Sequence, residues 1–584
     1  MQYFSSEHIF LKKEPYFIML RKIKNKIFKK DYKNREIEPD EIFIDSTNLP
    51  EFNIDQFEGR IEKPISKSAI IVVGISFLII GILFGWKIWD LQVTDGDMYA
   101  SISENNRLKH SVIFADRGVI YDRNNTELAW NVRSDEDDFS RRKYIDRPGL
   151  SHTLGYVGYP LKDDYGVYYQ EEFIAKDGVE KIYNKILNGK QGLKIVETDA
   201  LMQVQSESVT LSPENGDNVT LSIDALVQNK FYEFIKDIAL KAPFSGGAGV
   251  IMDVNTGEIL SMASYPEYDS QILSDGAPAQ EISIYTNNEN KPFLNRAVSG
   301  LYTPGSTVKP YLAIAALNEK LIEPETQILS TGSISIPNPY FPDKESVFSD
   351  WKAHGLIDMR EAIAVSSNVY FYEIGGGYEK QKGLGIKNIE KYMRMFGFGN
   401  DTGIYPQYTL SEEKGVIPNP KWKDENFKGD KWKIGDTYHT AIGQYGFQVT
   451  PLQAVRAIAA IANDGKLLTP TLLTNDDIDS KRVSVRKKYF EVVREGMRLA
   501  VTDGTGNGLN IPQVRIAAKT GTAELGTMKK FVNSLVVGFF PYENPKFAFV
   551  VIMEKGKRGN TLGALFVMKQ LFEWMAINTP EYLE

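Results

Sequence analysis

Ser68 to Trp89 reads SAIIVVGISFLIIGILFGWKIW, an apolar run broken only near its end by one lysine. At ~1.5 Å per helical residue such a run crosses the ~30 Å hydrocarbon core of a bilayer once. It follows a polar tail of more than sixty residues and lacks the extreme N-terminal position of a cleaved secretory signal, so it reads as an uncleaved anchor. Arg60, Lys63 and Lys67 flank its start, and Arg21, Lys22, Lys24, Lys26, Lys29 and Lys30 lie upstream. By the positive-inside rule these cations keep the N-terminal side in the cytoplasm and put everything from about Asp90 outside. The basic stretch from Tyr16 to Phe28, with interleaved Ile, Met, Leu and Phe, suits either an anionic lipid surface or a solvated tail.

A chain of 584 residues that is 42% hydrophobic has the length for more than one buried core. It has no cysteine, which excludes disulfides, thiolate nucleophiles and cysteine-based zinc sites. Its formal charge of -8 and lack of a dominant basic face argue against nucleic acid as a partner. The five histidines form no ligand cluster, and Asp350 with His354 suits a loop better than a metal, so no metal or cofactor is expected.

The expected organisation is a tail (1–67), a transmembrane helix (68–89), a mainly-β, elongated platform (90–243) and a catalytic domain (244–584). In the platform, the run Ala115 to Ala129 alternates apolar residues with turn-formers, as in short strands, and Gly178 to Gly192 reads as a helix closed by glycines. Nothing there pairs a nucleophile with a base. The next domain opens on a hairpin, Gly247–Asp253 and Glu258–Ser264. Helix-like segments fill much of 305–465, and strands return at Val514–Lys519, Ser534–Phe540 and Phe547–Met553 before a last helix from about Leu562 to Ala576. Strands at both ends of a helical middle imply an α+β fold: an antiparallel sheet of about five strands with an inserted α cluster.

Three short motifs fall on that frame. In Pro304-Gly305-Ser306-Thr307-Val308-Lys309-Pro310, a hydroxyl and an amine stand three residues apart where an Ala/Leu-rich helix begins, so they share one face. The same helix start offers backbone donors to developing oxyanion charge. Ser-x-x-Lys recurs at Ser140, Ser349, Ser411 and Ser484, but without the Pro-Gly entry or the apolar helix behind the lysine. In the second motif, Ser366-Ser367-Asn368 interrupts a strongly apolar stretch and needs partners if buried. The third, Lys519-Thr520-Gly521-Thr522, closes an expected strand Val514–Ala518; a lysine, two hydroxyls and a glycine there suit a carboxylate.

In this order the motifs resemble those of the penicillin-recognising serine acyltransferases, and the chain is similar to class B penicillin-binding proteins. The likeness extends from the span to the C-terminus, through Arg117-Gly118-Val119-Ile120-Tyr121-Asp122-Arg123, Asn295-Arg296-Ala297, Gly435-Asp436-Thr437 and Gly443-Gln444. Trp351–Gly355 and Ser366–Tyr372 look most like the elongation type, penicillin-binding protein 2, with the division type as rival. The resemblance implies a dimerisation pedestal below a transpeptidase domain with helices on both sheet faces. It implies a peptidoglycan D,D-transpeptidase of the bacterial cytoplasmic membrane, inhibited by β-lactams, acting on stem peptides beside a SEDS-family glycosyltransferase. Ser306 would be the nucleophile, Lys309 its general base, Ser366 a proton relay, Asn368 a holder of the substrate amide and Lys519 a source of local field. Thr520, Gly521 and Thr522 would bind the terminal carboxylate, with the backbone N–H groups of Ser306 and Thr522 as oxyanion hole. A carboxypeptidase or β-lactamase on the same site, and an inactive peptidoglycan-binding scaffold, are the other readings. Tyr445 stands where a glycine often follows the Gly-Gln pair.

Overall fold

The computed structural model describes residues 66–100, 108–164, 167–198, 204–276, 278–341, 343–406, 409–526 and 528–584. The upstream cations from Arg21 to Lys63 and the Tyr16–Phe28 stretch lie outside the described residues. The chain divides into two compact units, Met1–Ser101 and Ile102–Glu584.

In the first unit, helix α1 spans Lys67–Trp89 with none of its side chains buried. Ser66 caps it, its hydroxyl accepting from the Ala69 N–H (3.3 Å). The one hydroxyl in its middle, Ser76, donates to the Val72 carbonyl (2.8 Å), which satisfies it without water. Lys87 pairs with Asp90 at the far end (2.6 Å). Among the described residues α1 is the one helix long and apolar enough to cross a membrane.

The second unit begins with the β-rich platform. Strands β1 (Leu108–Ile113), β2 (Ile120–Tyr121), β3 (Glu127–Val132), β4 (Arg141–Tyr144), β5 (Gly192–Thr198), β6 (Val204–Leu211) and β7 (Val219–Thr220) form two sheets. Their orders are β1-β5-β6 and β7-β2-β3-β4. The expected single helix at 178–192 is instead two short ones, Gly178–Ile182 and Asn184–Leu187. They turn at Tyr183 and leave the fully buried Glu180 carboxylate facing Arg117 Nε (2.5 Å) and Arg142 Nε (2.7 Å). Removing either arginine would strand part of a buried charge.

Helix α2 (Ala225–Lys241) leads into β8 (Gly246–Asp253) and β9 (Ile259–Tyr265). After a helical middle the chain returns as β12 (Ala517–Leu525), β13 (Phe531–Phe540) and β14 (Phe547–Lys557), with β10 (Ser333–Pro337) and β11 (Glu345–Ser349) forming a hairpin between. The large sheet is antiparallel throughout, in the order β9-β8-β14-β13-β12. Successive residues of one strand feed different cores, since side chains alternate across a sheet. Val250 and Met252 join one core with the fully buried helix Pro451–Ala462, whereas Ile251 joins another with Phe231, Ile235, Val567 and Leu571. Both faces are covered, which is why β14 reads as an unbroken run, Phe547-Ala548-Phe549-Val550-Val551-Ile552-Met553. The five-stranded sheet with helices on both faces matches the sequence reading.

One boundary differs. The strand expected at Val514–Lys519 begins at Ala517 and continues to Leu525, so Lys519-Thr520-Gly521-Thr522 lies inside β12 and not at a strand's end. Its pairing with β13, Lys519 opposite Val537 and Thr522 opposite Ser534, sets those bounds.

Phe231 is fully buried between α2 and the sheet, whereas Ile577, near the end of the last helix, is 82% exposed. Phe231→Ala is expected to destabilise the 102–584 body by about 3–5 kcal/mol. Ile577→Ala should stay within about 0.5 kcal/mol. Denaturant unfolding of the detergent-solubilised chain compares the two, and equal effects would contradict the packing described.

Candidate active site

The chain meets itself at three points around one hydroxyl. Gly305–Val308 forms a 3-10 turn ahead of helix α3 (Lys309–Asn318), so Ser306 sits on the turn and Lys309 opens the helix, with Pro310 in its first turn. Tertiary packing tightens this first turn, but the order of hydroxyl, amine and proline is as the sequence implied. The Ser366–Asn368 segment links helix α4 (Met359–Ala364) to helix α5 (Asn368–Gly376). There Ser366 adopts φ 59°, a left-handed backbone unusual for a residue other than glycine. The third point is β12, the edge strand of the sheet.

Two glycines allow the backbones to close up. A Cβ on Gly443 would fall 2.2 Å from the Gly305 carbonyl oxygen, and the Gly305 N–H donates to the Gly443 carbonyl at 3.0 Å. A Cβ on Gly521 would fall 2.8 Å from Thr307 Cγ2 and 2.9 Å from the Pro304 carbonyl oxygen. The turn carrying Ser306 is thus pinned between the Gly443 loop and β12.

The amines of Lys309 and Lys519 are both fully buried and converge on Ser366. Lys309 Nζ donates to the Ser366 carbonyl (2.7 Å) and to Asn368 Oδ1 (2.8 Å), and lies 3.3 Å from Ser366 Oγ. Lys519 Nζ donates to Ser366 Oγ (2.8 Å) and to the Thr520 carbonyl (2.9 Å). None of these bonds goes to Ser306, which is half-buried. Burial disfavours the charged form and brings Lys309 down to about 7, against a smaller upward pull from Asp350. Lys519 is lowered too, by burial and then by the like charge of Lys309. Ser366 Oγ accepts from Lys519, and its own proton can turn to the lone pair of an uncharged Lys309. A proton can therefore pass along Lys309, Ser366 and Lys519 without crossing water.

On β12, Thr522 is exposed and Thr520 half-exposed. Thr520 Oγ1 bonds Thr505 Oγ1 (2.7 Å), from the glycine-rich turn after helix Lys487–Thr502. Sequence reading did not single out Thr505; the Gly504-Thr505-Gly506 turn was the available signal. The sequence places Asp350 in a loop, and the structure ties that loop to α5. Asp350 Oδ2 accepts from Ser367 Oγ (2.7 Å) and the Val369 N–H (3.0 Å), at the head of α5. His354 Nε2 lies 3.8 Å from Asp350, buried without a hydrogen-bond partner. Among the described residues no three His, Asp or Glu side chains gather as metal ligands. His439, the other histidine near the site, packs between Phe348 and Tyr445.

Tyr445 has φ 62°, a conformation that explains why glycine suits this position. Its ring stacks on Phe427 (6.3 Å between centroids) and meets the edges of Trp422 (5.6 Å) and Trp432 (5.9 Å). Tyr445, Phe427, Trp422 and Trp432 thus form one aromatic cluster.

Comparison with known proteins finds relatives in both sequence and structure. Residues 247–573 match the family described as penicillin binding protein transpeptidase domain, and residues 135–221 the penicillin-binding protein dimerisation domain. Peptidoglycan D,D-transpeptidase MrdA of Acinetobacter baumannii is 32% identical over 73% of this chain and 64% of its own length. MrdA of Escherichia coli is 27% identical over 87% of this chain and 94% of its own. Among solved structures, penicillin-binding protein PBP2 of Helicobacter pylori in complex with MreC superposes with a TM-score of 0.67 at 27% identity, covering 81% of this chain and 99% of that one. A chain of a peptidoglycan synthase complex coordinating polymerization and crosslinking gives 0.66 at 26% identity, over 88% and 98%.

If burial sets the Lys309 amine as described, ¹³C NMR of ε-labelled lysine should show it losing its proton around pH 7. Surface lysines should do so near ~10.4. The signal is assigned by its loss in Lys309→Met, and a midpoint close to the surface value would refute the account.

Proposed function

The chain belongs to the class B penicillin-binding proteins, of the penicillin-binding protein 2 (MrdA) type, and from that premise we propose how its own residues cross-link peptidoglycan as a D,D-transpeptidase. The observation that carries the proposal is the convergence of two buried lysine amines on the Ser366 hydroxyl.

In this reading a stem peptide lies along the free edge of β12, its terminal carboxylate at Thr520 and Thr522 and its amide against Asn368. Gly521 keeps the strand close enough to the Ser306 turn for one substrate to touch both. Uncharged Lys309 takes the proton of Ser306 as its Oγ attacks the carbonyl of the penultimate D-alanine. The oxyanion forms between the N–H groups of Ser306 and Thr522, an arrangement worth on the order of 10²–10³ in rate per donor. The proton passes through Ser366 to the departing D-alanine nitrogen, the C–N bond breaks and an acyl-serine remains. The amine of a neighbouring strand then attacks the ester and gives up a proton along the same path. The new amide forms as the C–O bond to Ser306 breaks, and Ser306 regains its proton. Lys519 biases the relay by its field and holds Ser366 in place.

Around this centre we assign residues 1–67 to a cytoplasmic tail, 68–89 to a single-pass anchor in the cytoplasmic membrane, 90–243 to a pedestal and 244–584 to the transpeptidase domain, outside the membrane. The relatives solved with MreC and within a peptidoglycan synthase complex support a place in a wall-elongation assembly. A SEDS-family glycosyltransferase is the partner we assign there.

A fluorescent penicillin should label the detergent-solubilised chain, and Ser306→Ala should abolish labelling while thermal unfolding is unchanged. Lys309→Ala should lower acylation at least ~10²-fold, the lower range for loss of a general base. Labelling that survives Ser306→Ala would overturn the nucleophile. Rapid catalytic turnover of the penicillin would replace transpeptidation with hydrolysis.

A further inference from the structure

The buried polar cluster behind Ser366 and Asn368 is not used by the chemistry above. The Asp350 side chain is wholly buried, and its two oxygens are satisfied from several directions. Oδ2 accepts from Ser367 Oγ (2.7 Å) and the Val369 N–H (3.0 Å), with Ser330 Oγ at 3.4 Å. Oδ1 accepts from the Trp351 N–H (2.9 Å). Asp350 directly follows β11, while Ser367 is the N-cap of α5 and Asn368 its first residue. The carboxylate therefore ties the hairpin wall to the turn that holds Lys309. Asn368 extends the tie, accepting from Lys309 at 2.8 Å while its Nδ2 donates to the Ser349 carbonyl at 3.4 Å. A carboxylate at a helix N-terminus is favourably placed with respect to the helix dipole.

We propose that Asp350 is a positioning residue for proton transfer: through Ser367 and Val369 its buried carboxylate anchors the Ser366–Asn368 turn that receives the Lys309 amine, and so holds a negative charge behind that amine. Several charged or titratable groups belong to this cluster. Lys519, on β12, faces the Lys309 amine through Ser366. His354, packed against Trp351, is kept toward its neutral form chiefly by burial, partly opposed by Asp350. Lys352 lies over the exposed Trp351 ring. Asp350 is the carboxylate that acts on Lys309 from this cluster. Its charge favours protonated Lys309, so removing the charge must make Lys309 lose its proton at lower pH.

The inference rests on Lys309 serving as the base, and the experiment separates the two. Fluorescent-penicillin acylation is measured from pH 5.5 to 9 on full-length wild-type protein, Asp350→Asn and Ser367→Ala, and Lys309 is titrated by NMR in each. Asp350→Asn keeps an acceptor for the Val369 N–H and loses the charge. Its acid limb and its Lys309 midpoint should both move down by at least about half a pH unit. Ser367→Ala keeps the charge and loosens the turn, so acylation should slow several-fold with the midpoint at or above that of wild type. An Asp350→Asn protein whose Lys309 midpoint is unchanged or raised overturns the inference. A midpoint that moves while the acylation profile does not follow it sinks Lys309 as base and leaves the field of Asp350 standing.

Discussion

Two amines that would each carry a charge in water are buried against one serine hydroxyl, and the rest of the site follows from that cost. Desolvation disfavours both ammonium forms, and their mutual repulsion disfavours holding both at once. Both amines are therefore biased toward their uncharged forms, Lys309 to about 7. The surrounding structure holds them there: Lys309 at the head of α3, Lys519 inside β12, and Ser366 in a strained backbone between two helices. Each element would relax differently if freed, and each is held by packing remote from the chemistry.

That packing is layered. The five-stranded sheet is covered on both faces, so β12 is set by its register with β13 and cannot slide without turning its buried residues outward. The Ser306 turn is then pinned against β12 through Gly521 and against the Gly443 loop, where a methyl group would collide with backbone or side-chain atoms. The hairpin β10–β11 closes a third side through Asp350. Motifs lying more than 200 residues apart in sequence meet at Ser366 because each stands on an element packed into the core.

Much of this was legible in the residues. Ser306 and Lys309 stood out because proline, glycine and an Ala/Leu helix frame them, and Ser366 and Asn368 because polar groups broke an apolar run. The anchor needed only its length and composition. Strand bounds at Lys519 were misplaced by three residues at the start and more at the end, since partner register is a property of β13 and not of the segment itself. Asp350 and Thr505 reach the site from distant loops with no periodicity to mark them. Tyr445 was visible as a departure from pattern, but its aromatic neighbours come from around residues 422–432 and could be found only in space.

Among the described residues the sheet stops at β12, whose outer edge pairs with no further strand. In the proposed reading a stem peptide on that border adds a sixth strand, main chain to main chain, and such pairing is blind to most side chains. On that reading discrimination falls on the end of the added strand, where the hydroxyls of Thr520 and Thr522 would meet its terminal anion. Variation among peptides would then be accommodated along the middle, and an imitator would need only an extended amide and a terminal anion to compete.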